Sequence, residues 1–263
     1  FLVTLLISFS SWTQNFNLDS LSHIDYTQLH DSKLNDVWGY TDELGNEYAL
    51  VGAEKGVSVV DISDPQNPVE IYWHVGMTSV WRDIKTFGDY AYITTEADDG
   101  LLIIDLSPLP NNPITTTNNY FNVSDYWSSA HNLYIDENGY GYIFGSNRGN
   151  GGAIILDLFT NPMQPIEVGI YDNWYIHDGY VANDILYAAH INDGFFTIVD
   201  VSNKSNPIIL GSEVTPSSFA HNIWPTDDQN FVFTTDELTR AFLGAYDVSD
   251  PTNIIEVDRI QSS

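Results

Sequence analysis

One stretch recurs along the chain and limits what it can fold into. It is an apolar run ending in aspartate, followed by a turn: Gly56 to Asp61, then Ser63-Asp64-Pro65 and a return run from Val69. Copies end at Asp105, Asp157, Asp200 and Asp247, so the aspartates are spaced by 44, 52, 43 and 47 residues. A period of about 40–50 residues built from short β-branched runs fits the four-stranded blade of a β-propeller. Each copy also carries, upstream, two alternating apolar runs separated by a turn rich in Asp, Asn and Gly, such as Asp136-Glu-Asn-Gly139. The expected fold is all-β, a propeller of four-stranded antiparallel blades, with five blades visible over residues 33–263. No apolar stretch has the length and the 3.6-residue period of a long helix.

The flanks lead to further expectations. Residues 1–14 open with Phe1-Leu-Val-Thr-Leu-Leu-Ile, a run too short to span a bilayer and similar to the apolar region of a signal peptide. The chain is therefore expected to be secreted and its N-terminus clipped. Residues 15–32 contain Leu21-Ser-His-Ile-Asp-Tyr-Thr-Gln28, which alternates like an edge strand, and are expected to add a strand that closes the last blade. With the chain stopping after blade five, that closure implies a fragment of a larger ring.

Charge narrows the partners. Thirty-six acids against eight bases give a formal net charge of -28. Such a surface repels phosphate backbones, so a nucleic-acid partner is not expected, whereas cations are attracted. The chain has no cysteine, which removes disulfides, thiolate metal sites and cysteine nucleophiles. The Gly-x-Ser-x-Gly elbow of a serine hydrolase is absent. Gly145 to Gly152 is glycine-rich but lacks the lysine of a phosphate-binding loop, and reads as a hairpin connection.

Two rings of polar residues stand out from the repeat. The first lies at the start of each inner strand: Asn35-Asp36, Arg82-Asp83, His131-Asn132, His177-Asp178 and His221-Asn222. The second member of each pair precedes its anchor aspartate by 25, 22, 25, 22 and 25 residues, so the positions are equivalent. The other ring ends the second strands: Glu54, Glu96, Asn147, His190 and Asp236. In an antiparallel meander both rings fall at one end of the disc, at the mouth of the central channel. Four of the seven histidines are found there. Imidazole and carboxylate donors converging on one mouth suit a divalent cation, Zn²⁺ with histidines or Ca²⁺ with oxygens. The same residues also suit hydrogen-bonded braces between blades. The candidate ligand-binding residues are Asp36, Arg82, Asp83, Glu96, His131, His177, Asp178, His190, His221 and Asp236; no catalytic residue is assigned. By contrast, the anchor aspartates read as turn caps at the opposite end. Trp127 and Trp174, in loops near the mouth, are expected to pack, as large aromatics in β proteins usually do, with stacking on a sugar or peptide as the alternative.

Several segments, in order, resemble the choice-of-anchor B family of secreted bacterial proteins built from LVIVD-type repeats. They include Leu34-Asn-Asp-Val-Trp-Gly-Tyr-Thr-Asp42, Trp81-Arg-Asp-Ile-Lys85, Ala130-His-Asn-Leu133, His177-Asp178, Thr197-Ile-Val-Asp-Val201 and Asp236-Glu-Leu238. The resemblance covers about residues 30–260. It implies a secreted propeller, surface-anchored through a C-terminal region, with two further blades and no assigned activity. Two functions follow as expectations: an extracellular module that binds a protein, glycan or ion, or a metal-dependent hydrolase or lyase at the mouth.

Overall fold

The computed structural model describes residues 19–121 and 126–261. The N-terminal apolar run lies outside them, as do residues 122–125 of the connection between blades two and three. Among the described residues no helix is long and apolar enough to cross a membrane.

Among the described residues, twenty strands form five four-stranded antiparallel sheets, each a meander in chain order. Blade one is β1 (Leu34–Thr41), β2 (Glu47–Ala53), β3 (Gly56–Asp61) and β4 (Val69–Val75). Blade two is β5 (Arg82–Phe87), β6 (Tyr90–Thr95), β7 (Leu101–Asp105) and β8 (Thr117–Tyr120). Blade three is β9 (Asn132–Ile135), β10 (Tyr140–Phe144), β11 (Ala153–Asp157) and β12 (Ile166–Tyr171). Blade four is β13 (Asp178–Ala182), β14 (Ile185–His190), β15 (Phe195–Asp200) and β16 (Ile208–Val214). Blade five is β17 (Ala220–Pro225), β18 (Phe231–Asp236), β19 (Phe242–Asp247) and β20 (Ile255–Gln261). This is the expected propeller architecture, and the strand boundaries follow the repeat.

The middle strands explain why the repeats are so apolar. A blade is covered on both faces by its neighbours, so β2, β3 and their counterparts are buried on both sides. Tyr40, Leu50 and Val59 of blade one meet Ile84, Ile93 and Ile104 of blade two. Equivalent cores join blades two and three, three and four, and four and five. In blades one, three, four and five a register shift between the third and fourth strands falls just before the anchor aspartate. Such a bulge increases local twist and turns the outer strand away from the wheel.

The stack has two ends. Leu50, Tyr92, Tyr142, Tyr187 and Phe233 occupy one position in successive blades, each opposite the residue two before the anchor aspartate. The first four are buried, whereas Phe233 is 42% exposed, because the far face of blade five carries no further sheet among the described residues. The opposite flank, on blade one, is covered by the N-terminal segment. That segment differs from the expected closing strand. It is irregular from residue 19 and then forms the short helix α1 (Tyr26–His30), which packs on blade one. Asp25 caps α1 by accepting from the Thr27 and Gln28 amides at 2.9 and 3.2 Å. His30 stacks on Trp73 and its Nε2 reaches Glu70 at 2.8 Å, while Tyr26 sits against Val51 and Val60. A local cap and one buried tyrosine outweigh the strand-like alternation in this segment.

Candidate functional site

The inner strands β1, β5, β9, β13 and β17 pack side by side in that order. Their first residues converge, as the meander geometry requires. Ala220 pairs with Asp236, Asp178 with Ala189, and Asn132 with Phe144, so inner-strand starts and second-strand ends share one mouth. Two layers of side chains line it.

The deeper layer is a set of braces. Asp36 Oδ2 accepts from the Ile84 amide of the next blade at 2.8 Å, and Asp83 Oδ2 from the Leu133 amide at 2.9 Å. Asp178 accepts from the side chain of Asn222, again one blade on. Each carboxylate thus satisfies a donor at the start of the following inner strand. Lys85 Nζ stands 2.7 Å from Asp83 and 4.6 Å from the ring centre of Trp38. These carboxylates have little water around them. Burial, followed by repulsion from Asp83, raises the Asp36 pKa to about 6. Burial likewise raises Asp178 to about 6, against the hydrogen bond from Asn222. Arg82 is buried with its guanidinium donating to the carbonyls of Ala53, at 2.8 Å, and Met77, at 2.5 Å. It ties blade two to the end of β2 and to the loop after β4.

The outer layer is a row of imidazoles. His131, His177 and His221 stand at equivalent positions in blades three, four and five, with ring centres 4.2 and 4.5 Å apart. His131 Nδ1 donates to Glu96 Oε1 at 2.8 Å, and its ring lies 6.1 Å from that of Trp81. His177 Nδ1 donates to the backbone carbonyl of His221 at 3.1 Å. Desolvation and the two flanking imidazoles lower the His177 pKa to about 4, so the ring is neutral at pH 7. One ligand atom from each of His177, His221 and Glu237 lies within 4.8 Å of the others, a grouping able to hold a metal ion.

The second ring divides by role. Glu96 joins the imidazole row through His131. Glu54 stays at the edge, 3.8 Å from Lys33 Nζ. Asn147 accepts from the amides of Ser128 and Ser129 at 3.0 and 3.3 Å. His190 is fully buried; its Nδ1 donates to the Tyr175 carbonyl and its Nε2 accepts from Thr197 Oγ1, both at 2.9 Å. Burial lowers its pKa. Asp236 accepts from Thr215 Oγ1 and from the Ser217 and Phe219 amides at 2.8 and 3.0 Å. These last three residues clamp the loops around the mouth. Glu237, one residue beyond the ring, escaped the sequence reading because the count stopped at the strand end. The doublet Asp236-Glu237 was the available signal.

Of the two readings for Trp127 the structure shows packing: the ring is fully buried in the core between blades two and three and does not face a ligand. Trp174 packs on His190 and Phe195. A ladder not singled out as a unit lies below the histidines: Trp38, Lys85, Tyr134, Tyr180 and Trp224, one per blade, two residues after each brace position. Tyr134 and Tyr180 have ring centres 4.6 Å apart, and Tyr180 and Trp224 4.4 Å. A cavity of about 540 Å³ lies on the flank of blade one between the N-terminal segment and the sheet, lined by Tyr26, Leu34, Val37 and Val51 and reaching the mouth residues Asn35 and Asp36.

Residues 44–73, 81–116 and 180–215 match the LVIVD repeat. The chain carries LVIVD repeats, which belong to β-propeller proteins. The matched segments fall on blades one, two and four, and each spans the second and third strands of its blade. No curated protein matches the chain. Solved β-propeller structures resemble it at low identity. A functionally unknown protein from Desulfotomaculum acetoxidans is 13% identical with a TM-score of 0.61, over 87% of this chain and 70% of the other. A chain of a mitotic checkpoint complex is 11% identical with a TM-score of 0.64, over 92% and 68%. Hydrazine synthase from Kuenenia stuttgartiensis is 12% identical with a TM-score of 0.57, over 80% and 62%. At these identities the likeness is one of fold.

Proposed function

We propose that the chain is an extracellular interaction module of the choice-of-anchor B type, secreted and held at the cell surface, whose recognition site is the histidine-lined mouth. One observation carries the reading. The repeat keeps its anchor aspartate in all five blades, while the position at the start of the inner strand carries Asn35 in blade one, a buried bracing Arg82 in blade two, and a run of adjacent imidazoles, His131, His177 and His221, in blades three to five. A scaffold duty does not call for three adjacent imidazoles at one mouth, whereas a site that recognises a polar partner or an ion does. The acidic surface and the N-terminal apolar run support export. The partner is an extracellular protein or glycan rather than a nucleic acid, given the charge of -28.

The test has two arms. Antibody labelling and protease accessibility on intact producing cells should place the protein outside the cytoplasmic membrane; a wholly cytoplasmic, protected protein contradicts the reading. An array of surface glycans and extracellular proteins should yield a ligand that binds the wild-type chain and is lost in a Glu96→Gln, His131→Ala variant. Binding unaffected by that variant contradicts the placement of the site. A second reading, a metal-dependent hydrolase or lyase, is favoured by the proximity of His177, His221 and Glu237. Turnover of ester or phosphodiester probes that depends on added Zn²⁺ would select it.

A further inference from the structure

We infer that the mouth binds one divalent transition-metal ion through His177, His221 and Glu237, with Zn²⁺ the ion whose preferences the donors match. The inference rests on the reading of the mouth as the recognition site and names the ligand of its blade-five side.

The geometry supplies the argument. The three donors come from separate chain segments: His177 just before β13, His221 in β17 and Glu237 just after β18. They nonetheless lie within 4.8 Å of one another. Ligands about 2.0–2.2 Å from one ion stand at most about 4.4 Å apart. The remaining closure falls to Glu237, whose side chain is exposed and free to swing. Its backbone is fixed: the Glu237 amide donates to the Phe219 carbonyl at 3.2 Å, and the adjacent Asp236 is clamped by three donors from the Thr215–Phe219 loop.

The imidazoles are prepared for the task. The Nδ1–H of His177 is committed to the His221 carbonyl, which leaves Nε2 as the ligating atom and fixes the ring plane. This is the orienting bond that metal-bound histidines commonly make. His131 stands on the far side of His177, held by Glu96, and closes the row. Two nitrogens and one carboxylate oxygen suit Zn²⁺ and its first-row neighbours, whereas Ca²⁺ and Mg²⁺ prefer all-oxygen sets. Three protein ligands leave one position for water or for an oxygen donor of the partner. On a chain this acidic, an ion so placed is a local positive centre to which a carboxylate or hydroxyl of a partner can attach.

The test is calorimetric titration of the full chain, stripped with EDTA, with ZnCl₂ at about 0.15 M salt, where diffuse attraction to surface acids is screened. The expected result is one ion per chain. His221→Ala should weaken binding by more than about 100-fold, beyond the 10–100-fold typical of losing an orienting partner of a metal ligand. Glu237→Gln, at an exposed position that does not bear on folding, should weaken it at least about tenfold. His74→Ala, on the outer strand of blade one, should leave it unchanged. Co²⁺ in place of Zn²⁺ should give the intense visible bands of a four-coordinate site. No stoichiometric binding, or equal affinity in wild type, His221→Ala and Glu237→Gln, overturns the inference. The cell-surface test needs no metal, so the two readings fail separately.

Discussion

In blades one, two and four the two ends use the same residue, aspartate, for opposite purposes. At the turn end, Asp61, Asp105, Asp200 and Asp247 each accept from the amide two residues on, at 2.8–3.0 Å, and Asp157 from the Thr160 amide at 2.9 Å. Water reaches these groups and hydrogen bonds favour their charge, so the pKa values of Asp157, Asp200 and Asp247 are lowered, led by bonds from Thr160, Ser202 and Ser249. At the mouth, Asp36 and Asp178 each accept from the next blade in a drier setting, and their pKa values are raised. A turn-end aspartate stabilises its own turn. A mouth aspartate couples two blades and stores unfavourable charge near the row of imidazoles. The proposed site lies at the end where the repeat is electrostatically costly.

The sharpest way to break this comparison is Asp83→Ala. It removes the acceptor for the buried Leu133 amide and the partner of Lys85, and should cost about 3 kcal/mol in urea-induced unfolding. A loss below about 1 kcal/mol would remove the brace. Asp36 provides a pH signature. Its pKa is about 6 in the fold, with Asp83 and Lys85 facing it, and about 3.9 unfolded, so the fold binds more protons between those values. Its contribution is full below about pH 4 and disappears as pH rises through about 6. Relative to Asp36→Asn, the wild type should lose about 2 kcal/mol of stability between pH 4 and pH 7. Asp157, Asp200 and Asp247, whose pKa values are lowered, have the opposite sign: their contribution is present above about pH 4 and is lost on acidification. The smallest effect belongs to Asp61→Ala, which should cost about 1 kcal/mol, the worth of one turn hydrogen bond, without changing any property of the mouth. A loss as large as that of Asp83→Ala would erase the distinction between the ends.

Much of this was legible in the sequence, for physical reasons that can be named. The strands were readable because sandwiched blades force continuous apolar runs, and the ends of the third strands because an anchor aspartate closes each one. The mouth was readable because an antiparallel meander returns every second strand to where the first began. Side-chain direction was not. Arg82 and His131 share a position, yet the guanidinium folds back onto Ala53 and Met77 while the imidazole reaches Glu96. His190 has the composition of a ligand but points into the core, where Thr197 and the Tyr175 carbonyl satisfy both nitrogens. Trp127 sits in a polar loop and is buried all the same, because large rings fill the gap between blades better than they face water. The helix at Tyr26–His30 is a single capped turn, shorter than any period can reveal. Glu237 lies one residue past a strand end and meets the histidines through chain folding that spacing alone does not encode.

The most direct test of the division between the ends is an NMR record of the histidine imidazoles and aspartate carboxylates as Zn²⁺ is added to the full chain. The account predicts that the rings of His177 and His221 shift at one equivalent of metal, with His190 and the turn-end aspartates unmoved. Shifts spread over Asp61, Asp105, Asp157, Asp200 and Asp247, with the mouth histidines unchanged, would contradict it.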